Sequence, residues 1–289
     1  MKASAIPNAA AWCSTGHRIA CGGARAGVFD PASGERLLDL REYGDALAWS
    51  HDDRRIAVGG GNAVAICDSK TGQESQSFYC GFWPTRLAWS PDERLLAVSG
   101  WSTGIQVWNI EARRLVTTLE TSIRGGIHFL RWDQDGRKLI SGGETQTCVW
   151  DAADGKLLQT IPTGCRDLSP DGTLIAFPHP SMVRLSRFSD GHTVRTILGL
   201  EPDGYAVISP EGHWTGSGNA AEELVYVVQT EIGEQLTLTA AEFAARYGWK
   251  NDPSKVTPQP DAIRQQPASG AKSPGGAGQE KAKESGGPR

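Results

Sequence analysis

The sequence lacks the segments that direct a chain into or across a membrane. No run of 18 apolar residues occurs among its 289 residues, so no transmembrane helix is predicted. Its first residues, MKASAIPNAAAW, do not contain the continuous apolar segment of a secretory signal. We therefore expect a cytoplasmic protein.

An excess of charge of one sign is also missing. The chain has 29 basic and 33 acidic residues, and its formal net charge is −4. Proteins that bind nucleic acid or anionic membranes usually carry a clustered basic surface, which this composition does not indicate. We expect neither as a partner.

Motifs for metal, phosphate or redox chemistry are absent from the sequence. No HExxH, GxxxxGK[ST] or CxxC spacing occurs, and the six histidines and six cysteines are dispersed along the chain. We predict no metal site and no cofactor. The cysteines are expected to be reduced thiols, partly buried in a large domain.

One segment has the spacing of a nucleophile elbow. Residues 100–104 read GWSTG and match the GxSxG pattern. That motif needs a turn between a strand and a helix, whereas the following IQVWNI is typical of a strand. We interpret the segment as a turn between two strands. Acidic residues in runs such as Pro91-Asp-Glu-Arg are likewise interpreted as turn residues, so no catalytic residue is predicted.

Glycine and tryptophan, by contrast, are abundant. The chain contains 35 glycines, about 12% of the residues where roughly 7% is usual, and 10 tryptophans. Glycine tolerates the positive φ angles of tight turns. The composition therefore predicts an all-β protein of many short strands.

A repeat of about 40 residues accounts for much of this composition. Successive anchor positions lie 36 to 43 residues apart and are occupied by Trp12, Trp49, Trp89, Trp132, Leu168 and Ile208. Seven residues after the anchors stand Ile19, Ile56, Leu96, Leu139, Ile175 and Thr215. Four short strands in such a period are typical of a propeller blade. The sequence thus predicts a β-propeller with six countable four-stranded blades.

The third strands of these copies carry a family resemblance. They end in GVFD (27–30), AICD (65–68), QVWN (106–109) and CVWD (148–151), and the first strands lead into WSPDE (89–93) or LSPDG (168–172). Over residues 10–239 the chain resembles the WD40 repeat family. It departs from the family pattern because no Gly-His dipeptide precedes a first strand. Thr103 or Glu144 stands in the tight turn that usually holds an aspartate.

The end of the chain has a different pattern. Thr239 and Glu242 form a capping box, and Gly248 suits a helix end, so we predict a short helix at about 240–247 that packs Phe243, Tyr247 or Trp249 against the last blade. The segment also resembles the closing module of large bacterial WD40 proteins. We assign residues 1–250 to the propeller and residues 251–289, rich in Pro and Gly, to a disordered tail. Two arrangements stay open: six blades that close by packing alone, or part of a longer propeller.

Surface recognition is the remaining source of function. Loops between blades and second-hairpin turns share one face of such a fold, and the predicted partner-binding residues there are Phe82, Trp83, Trp101, Arg25, Tyr43, Arg124, Gln146 and His179. Aromatic residues and arginine often anchor interfaces. The alternative for Trp83 is packing between blades.

The sequence therefore predicts a non-enzymatic scaffold, a monomeric propeller that presents one face to a protein or peptide partner. Two alternatives stay open. The chain could be a regulatory or sensor module derived from a larger WD40 protein such as a kinase fusion. It could also be a propeller hydrolase that uses the central channel.

Overall fold

A computed structural model describes residues 9–101, 104–123, 125–200, 204–217, 219–229 and 235–256 of the chain. The first part contains four antiparallel sheets of four strands each, in chain order. We call these sheets blades 1 to 4. Blade 1 consists of β1 (Ala10–Trp12), β2 (Ile19–Cys21), β3 (Gly23–Phe29) and β4 (Arg36–Gly44). Blade 2 consists of β5 (Ala46–Trp49), β6 (Arg55–Gly60), β7 (Ala63–Asp68) and β8 (Glu74–Tyr79).

Blades 3 and 4 repeat this arrangement. Blade 3 consists of β9 (Arg86–Trp89), β10 (Leu95–Ser99), β11 (Ile105–Asn109) and β12 (Arg114–Leu119). Blade 4 consists of β13 (Phe129–Trp132), β14 (Lys138–Gly142), β15 (Thr147–Asp151) and β16 (Leu157–Ile161). The fold is therefore the predicted all-β propeller. The GxSxG segment falls between the paired strands β10 and β11 and is not followed by a helix, and its residues Ser102 and Thr103 are outside the described residues.

The anchor tryptophans join neighbouring blades. The first strands β1, β5, β9 and β13 lie side by side. The indole N–H of each anchor donates a hydrogen bond to a backbone carbonyl in the first strand of the preceding blade: Trp49 to Ala11 (2.9 Å), Trp89 to Ala48 (3.2 Å) and Trp132 to Ala88 (2.9 Å). In each case the accepting residue directly precedes the anchor tryptophan of the blade to which it belongs. The 40-residue period thus encodes a repeated contact between blades.

The residue after the anchor fixes the first turn of each blade. In blade 3 the Ser90 hydroxyl donates to Asp92 and accepts from the backbone N–H of Leu95, and Asp92 also accepts from the N–H of Arg94. Burial alone would raise the pKa of Asp92, but the hydrogen bonds from Ser90 and Arg94 outweigh it and lower that pKa. Asp52 and Asp171 occupy the same place in their turns. The interpretation of these acids as turn residues is confirmed.

The predicted sixth blade takes a different form. The fifth sheet has six strands: β17 (Asp167–Leu168), β18 (Leu174–His179), β19 (Met182–Arg187), β20 (Thr193–Leu200), β21 (Gly204–Ile208) and β22 (Trp214–Gly216). Strands β21 and β22, predicted to begin blade 6, extend the outer edge of blade 5 because β20 and β21 pair as a hairpin. Ile208 has no indole to donate to a preceding first strand. The count of six four-stranded blades is therefore not confirmed.

The remaining strands form a separate hairpin beside the C-terminal helix. Helix α1 (Ala220–Glu223) precedes β23 (Val225–Gln229) and β24 (Gln235–Thr239), which pair only with each other in the described chain. Helix α2 (Ala240–Tyr247) has the predicted capping box, and Gly248 ends it with φ of 65°. Phe243 stacks on Tyr226 of β23 with ring centroids 4.3 Å apart, and Trp249 contacts both rings. The predicted helix is confirmed, and its aromatic residues pack on the β23–β24 hairpin, which forms a two-stranded sheet of its own and is not part of a four-stranded last blade.

The contacts continue past this helix to Val256, which is 2% exposed, whereas the predicted domain boundary lies at residue 250. A 3-10 turn spans Pro253–Lys255, and the Asn251 side chain forms two hydrogen bonds with the backbone of Trp214. The rest of the predicted tail, residues 257–289, lies outside the described residues. Among the described helices, none has the length and apolar character to cross a membrane.

Candidate functional site

A cavity of about 260 Å³ opens where blades 2, 3 and 4 begin. Most of its lining residues stand just before or at the start of a first strand, and one stands after β10. They are Asp45, Trp83, Thr85, Arg86, Trp101, Gly126, Ile127 and His128. Two of the predicted binding residues, Trp83 and Trp101, therefore share one cavity although they belong to different loops.

The repeat itself assembles this cavity. Asp45, Thr85 and His128 each stand four residues before an anchor tryptophan. The backbone N–H of each donates to a carbonyl at the end of the neighbouring second strand, with N···O distances of 2.7, 2.7 and 2.8 Å. The three residues are thus equivalent positions of three successive blades, and side-by-side packing of the first strands brings them together.

Phe82 and Trp83 are neighbours in sequence but have different roles: Phe82 packs in the core and Trp83 lines the cavity. Phe82 is half-buried and packs against the core cluster that contains Leu87 and Trp89. Trp83 is 49% exposed and lines the cavity. The carbonyl of Phe82 accepts a hydrogen bond from the Cys80 thiol (3.1 Å), which holds the loop in place. Phe82 is accordingly a packing residue, and Trp83 is the one available for contact.

A second, more open groove of about 490 Å³ adjoins the cavity. It is lined by Arg41, Tyr43, Gly60, Gly61, Asn62, Ala63, Tyr79 and Trp83. Trp83 lines both depressions, which therefore adjoin at this residue. We call Tyr43, Tyr79, Trp83 and Trp101 the aromatic surface; their exposed fractions range from 49% to 69%.

Backbone geometry fixes Tyr43 in this surface. Its φ is 62°, a left-handed conformation that non-glycine residues rarely adopt. The carbonyl of Tyr43 lies against Gly60, where an added Cβ would be 1.9 Å from the carbonyl oxygen. Only glycine permits this approach, so Gly60 sets the position of the tyrosine.

The polar groups of the cavity are held by backbone contacts. The Arg86 guanidinium donates to the carbonyls of His128 (2.8 Å) and Thr85 (2.6 Å). Burial and the charge of nearby Arg166 lower the pKa of Arg86, which remains a cation. Burial, followed by the charges of Arg166 and Arg86, also lowers the pKa of His128, although Glu144 lies 3.8 Å from its Nε2. This lowered pKa favours the neutral imidazole.

This arrangement suits recognition of a ligand. An exposed aromatic pair, a fixed guanidinium and a carboxylate surround a concave space, which can accept an apolar side chain together with polar backbone groups. Within the described chain, no cluster of three metal-ligating side chains is present. All six cysteines are free thiols, and five of them are buried.

Three other predicted residues do not line this surface. Arg25 in β3 contacts Asp39 at 3.7 Å, Gln146 donates to Ser122 at 3.1 Å, and His179 packs edge-on against Phe177. None of the three lines the cavity or the groove. Arg124 lies outside the described residues.

Sequence reasoning missed Tyr79, Arg86 and His128 as lining residues. Tyr79 ends β8, and its alternation with half-buried Phe78 indicates an exposed position that could have been recognised. Arg86 and His128 could have been found by comparing the positions just before each first strand. Their convergence depends on contacts between blades, which spacing along one chain does not show.

Comparisons with known proteins agree with this architecture. The family model of the WD40 repeat (WD domain, G-beta repeat) matches residues 74–109 and 113–151, which cover most of blades 3 and 4. The predicted resemblance is confirmed at these repeats. No curated protein matches the chain by sequence.

Two solved structures illustrate the shared fold. One is described as Kuenenia stuttgartiensis hydrazine synthase, with a TM-score of 0.56 and 17% identity over 72% of this chain and 78% of that chain. The other belongs to a mitotic checkpoint complex, with a TM-score of 0.58 and 19% identity over 83% of this chain and 87% of that chain. At these identities the likeness concerns the fold alone.

Proposed function

We propose that this chain, a β-propeller that contains WD40 repeats, is a non-enzymatic scaffold that binds a segment of a protein partner on its aromatic surface. The observation that carries the proposal is that Trp83 lines two adjoining depressions, one of which also contains Trp101 and the other Tyr43 and Tyr79. Two adjoining depressions of about 260 and 490 Å³ offer room for more than one side chain of a peptide. Exposed aromatics at the centre of an interface commonly supply most of its binding energy.

The geometry also defines the kind of segment that fits. The cavity between Trp83 and Trp101 can take one apolar or aromatic side chain, because its two indole rings supply apolar surface at little conformational cost. Arg86, fixed at the cavity by two carbonyls, can donate to a backbone carbonyl or an acidic group of the peptide. We therefore expect selection of an apolar residue next to a hydrogen-bond acceptor.

A peptide-display selection on the wild-type chain tests the proposal, because it samples many peptide sequences at once. The selected peptides are then measured by calorimetry against wild type and Trp83→Ala/Trp101→Ala. We expect affinity to fall at least about 30-fold in the double variant, since each anchor typically contributes about 2 kcal/mol. Tyr205→Ala is the matched control, because Tyr205 is 52% exposed and lies on β21, outside the surface.

Two outcomes would contradict the proposal. Equal affinity of wild type and the double variant would show that peptides bind elsewhere. An equal loss in Tyr205→Ala would indicate a nonspecific effect. Circular dichroism of the sheet must be unchanged in both variants, which is expected for exposed side chains, and Phe82 is left intact because it packs in the core.

A further inference from the structure

The junction between blade 4 and blade 5, the six-stranded sheet, lacks the indole that the earlier junctions have. The anchors Trp49, Trp89 and Trp132 are buried, and each donates to a carbonyl in the first strand of the preceding blade. The anchor of blade 5 is Leu168, which is also buried but has a smaller side chain without an N–H. Arg131, which directly precedes Trp132, carries the carbonyl that corresponds to the three acceptors. Leu168 cannot donate to it.

A hydrogen bond of the opposite direction joins these two blades. The Arg131 guanidinium donates to the carbonyl of Leu168 at 3.3 Å, so blade 4 supplies the donor and blade 5 the acceptor. At the earlier junctions the later blade always supplies the donor, through its anchor indole. Blades 4 and 5 are therefore linked without an anchor ring.

A cavity of about 340 Å³ lies at this junction. Ile140 and Val149 contribute its apolar wall from blade 4, and Leu168 and Phe188 contribute the wall from blade 5. All four belong to, or pack against, one core cluster of the two blades. The cavity is thus an opening in the core between two sheets.

The wall from blade 4 corresponds to the surroundings of an anchor indole. At the junction of blades 3 and 4, Trp132 packs in one cluster with Ala97 and Val107, which pair across β10 and β11. Ile140 and Val149 are the equivalent pair of blade 4, across β14 and β15. This pair lines the cavity, where the repeat elsewhere has a tryptophan.

No other ring of the chain fills the space. Phe188 lines the cavity and is half-buried, although its smaller counterparts Ile110 and Ala152 are buried. The three are equivalent because the N–H of each donates to the carbonyl of the residue that precedes the second strand. Every aromatic residue of the sequence lies within the described part of the chain, and only Trp132 and Phe188 among them line the cavity. An indole at this place has to come from outside the chain.

We propose that this cavity binds an indole group, a flat bicyclic ring with one N–H donor. The ring takes the place of the missing anchor, and its N–H donates to the carbonyl of Arg131. An apolar cavity of about 150 Å³ can already bind benzene, so about 340 Å³ accommodates the larger ring. The inference is independent of the proposed function, because no residue lines both this cavity and the depressions of the aromatic surface.

The charged residues of the cavity favour a neutral ligand. Arg131 and Lys138 contribute two cations, and Asp133, Asp135 and Asp171 contribute three carboxylates. Neighbouring charges of opposite sign largely cancel, so an anionic or cationic ligand gains little from this set. A neutral indole needs only the apolar walls and one acceptor.

Calorimetric titration of the full chain with indole tests the proposal. The wild type should bind one indole per chain. Indene, which has the same shape without the N–H, should bind about 5-fold more weakly because one hydrogen bond is lost. N-acetyl-tryptophanamide distinguishes two sources of the group: its binding supports a tryptophan side chain of a partner, and its failure to bind supports a free indole compound. A wild type that does not bind indole, or that binds indene equally well, overturns the proposal.

Leu168→Trp supplies the missing indole from the chain itself. It should abolish indole binding, because the new ring fills the cavity and donates to the carbonyl of Arg131. It should also raise the midpoint of thermal unfolding by about 3 °C. Leu115→Trp is the matched control, since Leu115 is exposed on β12, and it should bind indole as the wild type does. Undiminished binding by Leu168→Trp contradicts the proposed site, as does an equal loss in Leu115→Trp.

Methyl NMR of the wild type gives a readout that needs no variant. The ring current of a bound indole should shift the methyl resonances of Ile140, Val149 and Leu168, which line the cavity. The resonances of Ile56 and Val58, in the core cluster of blades 1 and 2, should not move. Shifts confined to methyl groups outside the cavity would place the ring elsewhere and refute the proposal.

Discussion

The indole nitrogen of each anchor is the atom that distinguishes its role from that of any large apolar residue. In blades 2 to 4 it donates to a main-chain carbonyl of the preceding blade, so phenylalanine could fill the space but could not donate to that acceptor. Trp12 provides a natural comparison, because it has the same place in the repeat without a blade to contact. Replacing tryptophan by phenylalanine at an anchor that donates this bond and at Trp12 therefore distinguishes the contribution of the hydrogen bond from that of the residue type.

Trp89→Phe should lower the free energy of unfolding by about 2 kcal/mol, from the lost hydrogen bond to Ala48 and the smaller ring in a packed site. Trp12→Phe should change it by less than about 0.5 kcal/mol, since Trp12 is exposed. Urea denaturation followed by circular dichroism, in dilute protein, measures both. Equal effects at the two positions would mean that the indole hydrogen bond contributes nothing.

At the scale of elements, α2 shows how a local pattern can determine structure. Its start is fixed by the Thr239 hydroxyl, which accepts from the N–H of Glu242, while the Glu242 carboxylate accepts from the N–H of Thr239. Its end is fixed by Gly248 in the left-handed region. All of these interactions join residues close in sequence, and for that reason the sequence predicts both ends of the helix.

Thr239→Ala should destabilise this helix by about 1 kcal/mol, because two of its first N–H groups lose their acceptors or their positioning. The expected effect is local: the near-ultraviolet signal of the Tyr226, Phe243 and Trp249 cluster should melt earlier than the far-ultraviolet signal of the sheets. Thr237→Ala, exposed two residues earlier on β24, is the control and should melt as the wild type. Coincident, unshifted transitions in Thr239→Ala would contradict this prediction.

The end of the sheet series could not be predicted in the same way. The segment after Leu200 has strand-forming composition, but whether β21 starts a blade or extends β20 depends on competition between two distant edges. Ile208 lacks the indole that directs Trp49, Trp89 and Trp132 to the preceding blade, and the hairpin to β20 is closed by a short connection. The spacing of the repeat alone does not distinguish a new blade that begins at β21 from an extension of blade 5.

The candidate site is partly predictable for a related reason. Trp83, Trp101 and Tyr43 stand out in the sequence because they are aromatic residues at positions predicted to lie on one face of the propeller. Trp83 lines both the cavity and the groove, while its neighbour Phe82 packs against the core. This difference depends on the directions in which the two side chains point, which a sequence pattern does not predict. Arg25, Gln146 and His179 have polar side chains that could contact a peptide, but they do not line the cavity or the groove.

At the scale of the whole molecule, each blade contacts its neighbours, so stability accumulates along the series. Blades 2 and 3 are covered on both faces, while blade 1 and the β23–β24 hairpin each have an open one. Native-state hydrogen exchange should therefore be slowest for β6 and β10, whose central residues are fully buried, and faster for β2 and β23. Uniform exchange across these strands would indicate a single cooperative unit instead.

The indole hydrogen bonds between blades all point the same way along the chain. Each donor lies 38 to 44 residues after its acceptor, so each of these bonds joins a blade to the one made just before it. During synthesis each of these bonds can thus form once the anchor has left the ribosome, without waiting for the end of the chain. The order of translation is also the order in which these indole bonds can form.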